Sequence, residues 1–132
     1  MVIDTSSLIC ILLNEPEALV HANALASESK PVISAVNWLE TMIVINSRLG
    51  ESGTHELGKL LALTKTEIIQ VDSAVTQRAF DGWQRFGKGR HPAALNFGDC
   101  FSYALAQERR EPLLFKGNDF SRTDVLCAVK TT

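Results

Sequence analysis

The sequence has few cysteines and no strong excess of charge of either sign. Its three cysteines, Cys10, Cys100 and Cys127, lie far apart and inside apolar stretches. That distribution favours reduced core thiols over a disulfide framework, and no close pair of cysteine and histidine indicates structural zinc. The formal net charge of −2 argues against nucleic-acid binding through overall positive charge, so any such contact must be local.

Long apolar runs are also missing. The longest uninterrupted one, residues 8–13, is far too short to cross a bilayer, and no charged segment precedes it as in a signal peptide. We therefore expect a cytoplasmic protein that does not enter the membrane. The length of 132 residues and the hydrophobic fraction of 45% are typical of one packed domain, so we expect a single domain over residues 1–132.

Short apolar runs alternate with segments of helical periodicity. Strands are predicted at residues 1–3, 31–34, 67–71 and 112–115, with a short edge strand in the last residues. Helices are predicted at 6–13, from Pro16 to about residue 27, from about residue 35 to Gly50, at 56–63, at 73–86 and from Asp99 onward. This alternation predicts an α/β fold with parallel strands joined by right-handed crossovers.

Four acidic residues stand where an apolar run gives way to a turn or a new helix: Asp4, Glu40, Asp99 and Asp119. The carboxyl ends of strands in an open α/β sheet meet at one crevice, so these acids would gather there. Like charges held close together are unfavourable unless a proton or a cation compensates them. A hard divalent cation, Mg²⁺ or alternatively Mn²⁺, suits such oxygen ligands.

Each acid also has a purely structural interpretation. Asp4 and Asp99 could cap helices, Glu40 could close a capping box with Asn37, and Asp119 could form an Asx turn. Ser6 is an auxiliary candidate, since its hydroxyl could contact metal-bound water or satisfy an NH group at a helix start. Capping alone does not explain why successive strand ends deliver acids that would repel one another at one edge.

A local excess of positive charge occupies the middle of the chain, because no acid occurs at residues 82–98. It could bind a phosphodiester backbone, or it could be a solvated loop. The candidate RNA-binding residues are Arg85, Lys88 and Arg90, with Lys116 at the rim of the acidic pocket and His91 as a weaker candidate.

Several segments closely resemble the PIN-domain toxins called VapC. They are Val-Ile-Asp-Thr-Ser at 2–6, Trp-Leu-Glu-Thr at 38–41, Asn-Phe-Gly-Asp-Cys-Phe at 96–101 and Lys-Gly-Asn-Asp-Phe at 116–120. The segment 87–95 further resembles one subgroup of that family. The resemblance implies a three-layer α/β/α fold around a mainly parallel sheet, with Asp4, Glu40, Asp99 and Asp119 matching the metal-site acids of the family.

The same resemblance implies an activity and partners. It implies a Mg²⁺- or Mn²⁺-dependent endoribonuclease that acts as the toxin of a toxin–antitoxin pair. It also implies a homodimer and a small VapB-type antitoxin whose tail covers the active-site groove. One departure concerns Phe115-Lys116-Gly117, where many PIN domains have Thr or Ser, then Arg or Lys, then Asn. Asp119 could therefore act through water, and Asp124 is the reserve candidate for its role.

The mechanistic hypothesis is hydrolysis of RNA by a metal-activated water, leaving 5′-phosphate and 3′-hydroxyl ends. One rival is a phosphohydrolase with Asp4 as a covalent nucleophile, which lacks the second acid of the usual Asp-x-Asp arrangement because residue 6 is Ser. Another is a noncatalytic PIN-like module that binds a metal or a partner. RNA cleavage that depends on Mg²⁺ would distinguish the nuclease from that module.

Overall fold

A computed structural model describes residues 1–129 and shows a four-stranded sheet at the centre of the chain. The strands are β1 (Val2–Ile3), β2 (Val32–Ser34), β3 (Glu67–Ile69) and β4 (Leu113–Leu114), in the order β3-β2-β1-β4. Every pairing is parallel, with Val2 opposite both Val32 and Leu113. The α/β prediction with a parallel sheet is confirmed.

Helices connect the strands. They are α1 (Thr5–Leu12), α2 (Ala18–Ala26), α3 (Ala35–Thr64), α4 (Ser73–Phe86) and α5 (Phe97–Arg109), followed by a 3-10 turn at Phe120–Arg122. A non-helical residue, Gly50 with φ of 69°, interrupts α3, which explains why the sequence predicts two helices there. The helix predicted to open at Asp99 begins two residues earlier, because Asn96 supplies its N-cap.

Alternate strand residues point to opposite faces of the sheet and build two apolar clusters. Val2, Val32 and Leu113 pack with residues of α4 and α5. Ile3, Ile33 and Leu114 pack with residues of α1, α2 and α3. The sheet is thus covered by helices on both faces, as its short, wholly apolar strands β1 and β4 require. The expected three-layer α/β/α arrangement is confirmed.

Some local predictions are wrong. The sequence predicts an apolar stripe on α2 made of Leu19, Val20, Ala22 and Leu25. Only Leu25 among them is buried, whereas Leu19 is 72% and Val20 50% exposed, and Ala18 and His21 are buried beside Leu25 instead. Cys127 is exposed, unlike the buried Cys10 and Cys100.

The C-terminal edge strand is reduced, within the described residues, to one isolated bridge between Leu113 and Cys127, and residues 130–132 lie outside them. No helix within residues 1–129 is long and apolar enough to cross a membrane.

Candidate active site

Three of the four acids follow three neighbouring strands. Asp4 comes directly after β1, Glu40 lies in the helix that follows β2, and Asp119 lies in the loop after β4. Because β2, β1 and β4 are adjacent and parallel, their carboxyl ends meet at the same edge of the sheet. The fold therefore delivers these acids from three separate segments of the chain to one edge.

The fourth acid, Asp99, comes from α5, which packs against β1 and β2. Its backbone NH donates to Asn96 Oδ1 at 2.9 Å, and its Oδ2 accepts from the Asn96 NH at 3.0 Å. This capping box fixes the side chain in the first turn of the helix. The structural interpretation of Asp99 as a capping residue is therefore correct, and the same contacts hold its carboxylate in place.

The electrostatics connect Asp99 to the other three acids. Burial, together with the negative charges of Asp4, Asp119 and Glu40, raises its pKa to about 7, against the lowering effect of the Asn96 backbone hydrogen bond. The other three carboxylates thus lie within electrostatic reach of Asp99. Such an arrangement is unfavourable in its fully ionised form without a compensating cation.

Both carboxylate oxygens of Asp4 are engaged. Oδ2 accepts from the Ser6 backbone NH at 3.0 Å, which is the capping bond of α1, and from Ser6 Oγ at 2.6 Å. Oδ1 accepts from Ser102 Oγ at 2.5 Å. The Ser6 hydroxyl in turn accepts from the Lys116 backbone NH at 3.0 Å, so it ties Asp4 to the chain that leaves β4.

Glu40 is held beside the start of α5. A Cβ added to Gly98 would overlap the Glu40 carboxylate, so the two groups lie against each other. The buried amide of Asn37 donates to the Gly98 carbonyl at 2.9 Å and to Glu40 Oε1 at 3.4 Å. The N-cap of α3 is Ser34, whose hydroxyl accepts from the Asn37 NH, so Glu40 does not close a capping box with Asn37.

The family comparison agrees with this geometry. A family model described as the PIN domain matches residues 1–126. The chain belongs to the PIN-domain family. Among its relatives, "Ribonuclease VapC" of Mycolicibacterium smegmatis is 48% identical over 125 residues, covering 95% of this chain and 97% of that protein. "Ribonuclease VapC30" of Mycobacterium tuberculosis is 42% identical over 125 residues, covering 95% of each. The resemblance to VapC toxins is thus confirmed.

Solved structures share the fold. The toxin VapC20 of Mycobacterium tuberculosis, described as cleaving the sarcin-ricin loop, superposes with a TM-score of 0.78 at 16% identity, over 95% of each chain. A toxin–antitoxin complex from Klebsiella pneumoniae gives a TM-score of 0.71 at 23% identity, over 98% of each chain. At these identities the likeness concerns the PIN fold alone.

The donor set of this PIN domain suits a hard cation. Within residues 1–129, no group of three or more His, Cys, Asp or Glu side chains converges closely enough to hold a metal ion. Magnesium, however, usually takes only one or two direct carboxylates and keeps several waters, so an open set of acids fits it. Thiol and imidazole ligands, which favour zinc, are absent from the residues that shift the pKa of Asp99.

The predicted basic residues of the PIN domain have other partners. Arg85 donates to Tyr103 Oη at 3.1 Å and to Asp124 at 3.3 Å. Asp124, the reserve acid, is therefore engaged there and is not among the charges that shift Asp99. The Arg90 guanidinium lies 4.7 Å from the Trp83 ring centroid.

Two lysines complete the set. The Lys116 ammonium pairs with Glu15 at 2.5 Å and with Glu17 at 3.4 Å, so its charge is already compensated. The exposed Lys88 lines a cleft whose other walls are mainly apolar, among them Phe80, Trp83 and Phe97.

Sequence reasoning missed Ser102 and Gly98 as neighbours of the acids, and it placed Asn37 beside Glu40 only as a capping partner. Ser102 stands three residues after Asp99, a spacing that puts both on one side of a helix, and that spacing was the available signal. The contacts of Gly98 with Asn37 and Glu40 form only when α3 and α5 pack together, so no local pattern predicts them.

The raised pKa of Asp99 predicts a pH-dependent stability of the metal-free PIN domain. The pKa of Asp99 is 3.8 in the unfolded chain and about 7 in the folded protein. Its contribution to the free energy of unfolding is therefore complete below pH 3.8 and is lost as the pH rises through about 7. In chelator, we expect the melting temperature of the wild type to fall relative to that of Asp99→Asn between about pH 4 and about pH 8. Calorimetry of both proteins checks this, and a difference independent of pH would contradict it.

Proposed function

We propose that this protein is an endoribonuclease, the toxin of a VapBC-type pair, and that its reaction requires Mg²⁺ or Mn²⁺. The observation that carries the proposal is the electrostatic coupling of Asp99 to Asp4, Glu40 and Asp119 at one edge of the sheet. The names of relatives that are 42–48% identical, all VapC ribonucleases, support the RNA substrate.

Each acid has a role in this proposal. Asp4 and Asp99 hold the cation, because their carboxylates are oriented by hydrogen bonds from Ser6 and Asn96. Glu40 completes the negative site from the opposite helix. The bound cation would supply charge compensation at the scissile phosphate and make a water more acidic.

Asp119 has a different environment from the others. It is exposed and makes no side-chain capping bond with the 3-10 turn that follows it. We assign it the orientation of the attacking water and acceptance of its proton, which requires a free carboxylate oxygen. The leaving oxygen departs in line with the attack, giving 5′-phosphate and 3′-hydroxyl products.

The exposed cations of the loop after α4 supply the contact with the RNA backbone. Lys88 and Arg90 have no carboxylate within ion-pair distance among the described residues, whereas Arg85 and Lys116 do. Lys88 and Arg90 are therefore free to bind phosphate groups of the RNA. Their positive charge reduces the electrostatic repulsion between the RNA backbone and the acidic site. Lys116 and Arg85 would first have to exchange their carboxylate partners.

Partners follow from the same proposal. Large apolar side chains are exposed on several elements, including Leu39 and Ile43 on α3, Phe80 on α4 and Phe97 on α5. Exposed apolar patches mark interaction surfaces, and the toxin assignment requires a VapB-type antitoxin and allows a homodimer. The solved toxin–antitoxin complex with the same fold supports an antitoxin partner.

Metal dependence is the direct test of the activity. Purified protein incubated with RNA and Mg²⁺ is expected to produce fragments with 5′-phosphate ends, and EDTA is expected to abolish cleavage because the carboxylates alone cannot compensate the phosphate charge. Mg²⁺ should also raise the melting temperature, since it binds the folded state preferentially. Cleavage that continues at full rate in EDTA would refute the proposal, and a melting shift without cleavage would favour a noncatalytic module.

A further inference from the structure

The buried hydroxyl of Ser102 is a group that the proposed mechanism does not itself use. Ser102 is completely buried, and its Oγ lies 2.5 Å from Oδ1 of Asp4, which is also buried. A carboxylate can only accept, so the serine hydroxyl donates. It is the only protein group of residues 1–129 that donates to this oxygen, whereas Oδ2 has both the NH and the hydroxyl of Ser6.

Ser102 departs from the usual behaviour of a serine inside a helix. Such a side chain commonly bonds back to the carbonyl four residues earlier, here that of Gly98. In this structure the Gly98 carbonyl accepts from the Asn37 amide at 2.9 Å. The Ser102 hydroxyl points across to the end of β1 instead, so its orientation is directed at Asp4 by the surrounding contacts.

The position of Ser102 in α5 links two of the acids. Asp99 stands one turn earlier in the same helix, and residues three apart face the same side. The hydrogen bond from Ser102 therefore ties Asp4 to the helix that also carries Asp99. We propose that Ser102 is a positioning residue that sets the geometry of the Asp4–Asp99 pair for a divalent cation.

This inference rests on the proposed function, since it assumes that the two carboxylates hold a metal. Hydrogen-bonding partners of metal ligands typically contribute about 10- to 100-fold to metal affinity. We expect Ser102→Ala to weaken Mn²⁺ binding by a factor in that range. Titration calorimetry with MnCl₂ on the full-length protein measures the affinity without any need for RNA cleavage.

Ser7→Ala is the matched control. Ser7 is equally buried and also makes one buried hydrogen bond, at 2.8 Å to His21 Nδ1, but its side chain does not touch the acids. Both alanine variants lose one buried hydroxyl, so both should melt at a lower temperature. Only Ser102→Ala should lose Mn²⁺ affinity, and Ser102→Thr, which keeps the hydroxyl, should restore it.

The outcomes separate the two levels of the proposal. A wild-type protein that binds no Mn²⁺ would refute the metal site itself. If the wild type binds Mn²⁺ and Ser102→Ala binds it with the same affinity, the positioning role is refuted but the metal site is not. Equal losses of affinity in Ser102→Ala and Ser7→Ala would refute the positioning role in the same way. Should Ser102→Ala not fold, Ser102→Cys gives the same comparison, because the thiol retains a similar shape but is a weak donor.

Discussion

Asp99→Asn is expected to reduce RNA cleavage by about 100-fold or more, because a lost ligand removes several kcal/mol of charge stabilisation from the metal site. The fold should survive, since the amide oxygen of asparagine can still accept from the Asn96 NH as the carboxylate does. Metal-free stability near neutral pH should be maintained or increased, because the substitution removes a half-buried negative charge that three other acids disfavour. Cleavage assays and calorimetry on the same preparation measure both effects.

Asp81→Asn provides the control for this prediction. Asp81 is an exposed acid on α4 that accepts a hydrogen bond from Gln77 at 3.1 Å, so the same chemical change occurs on the surface. Its activity should equal that of the wild type. An Asp99→Asn protein with wild-type activity would exclude Asp99 from the metal site.

Gly98→Ala is expected to reduce cleavage by about 10- to 100-fold by displacing Glu40, a loss of the size found when the geometry of a metal site is disturbed. The added methyl group would overlap the Glu40 carboxylate, which is the far end of a flexible side chain and can rotate away. Displacement of that carboxylate alters the geometry of the acidic site but leaves the packing of the hydrophobic core largely unchanged. We therefore expect a large loss of activity with a small change in melting temperature, measured by cleavage kinetics and thermal unfolding.

Gly58→Ala is the control for Gly98→Ala, because an added methyl group at Gly58 displaces no neighbour. Gly58 lies in α3 with nothing within 4 Å of an added Cβ. Alanine there should stabilise the protein by about 0.5–1 kcal/mol, because it restricts the unfolded chain and favours the helix. Its cleavage rate should not change. If Gly98→Ala also retains full activity, Glu40 tolerates the displacement and its position is not critical.

Much of the fold could be predicted from local patterns. The apolar runs that precede Asp4 and Ser34 form short, buried strands, and these two residues cap the helices that follow, as the sequence predicts. The buried face of α2 could not be predicted in this way. Leu19 and Val20 are exposed, and α2 buries Leu25 together with Ala18 and His21, whose ring is hydrogen-bonded to Ser7 of α1. Periodicity in a nine-residue helix does not determine which side meets its neighbour.

The candidate site was likewise predictable only in part. Asp4, Glu40 and Asp119 could be brought together by the general rule for parallel strands, because each follows a strand. The rule says nothing about orientation. The hydrogen bond of Ser102 to Asp4 joins residues 98 positions apart, and that of Asn37 to Gly98 joins residues 61 positions apart. The ion pair of Lys116 with Glu15 could not be predicted from the sequence either. Lys116, a predicted RNA-binding residue, therefore already has its charge compensated by a carboxylate.

The pairing of β1 with β4 has a consequence for synthesis of the protein. Val2 and its neighbour Leu113 stand 111 positions apart in the chain, so β4 leaves the ribosome long after β1. Until then β1 has one edge unpaired, and long-range pairing of this kind is slow to form. The edge of the sheet that carries Asp4 and Asp119 is complete only after β4 has been made, so the proposed RNA cleavage cannot begin on a nascent chain that still lacks β4.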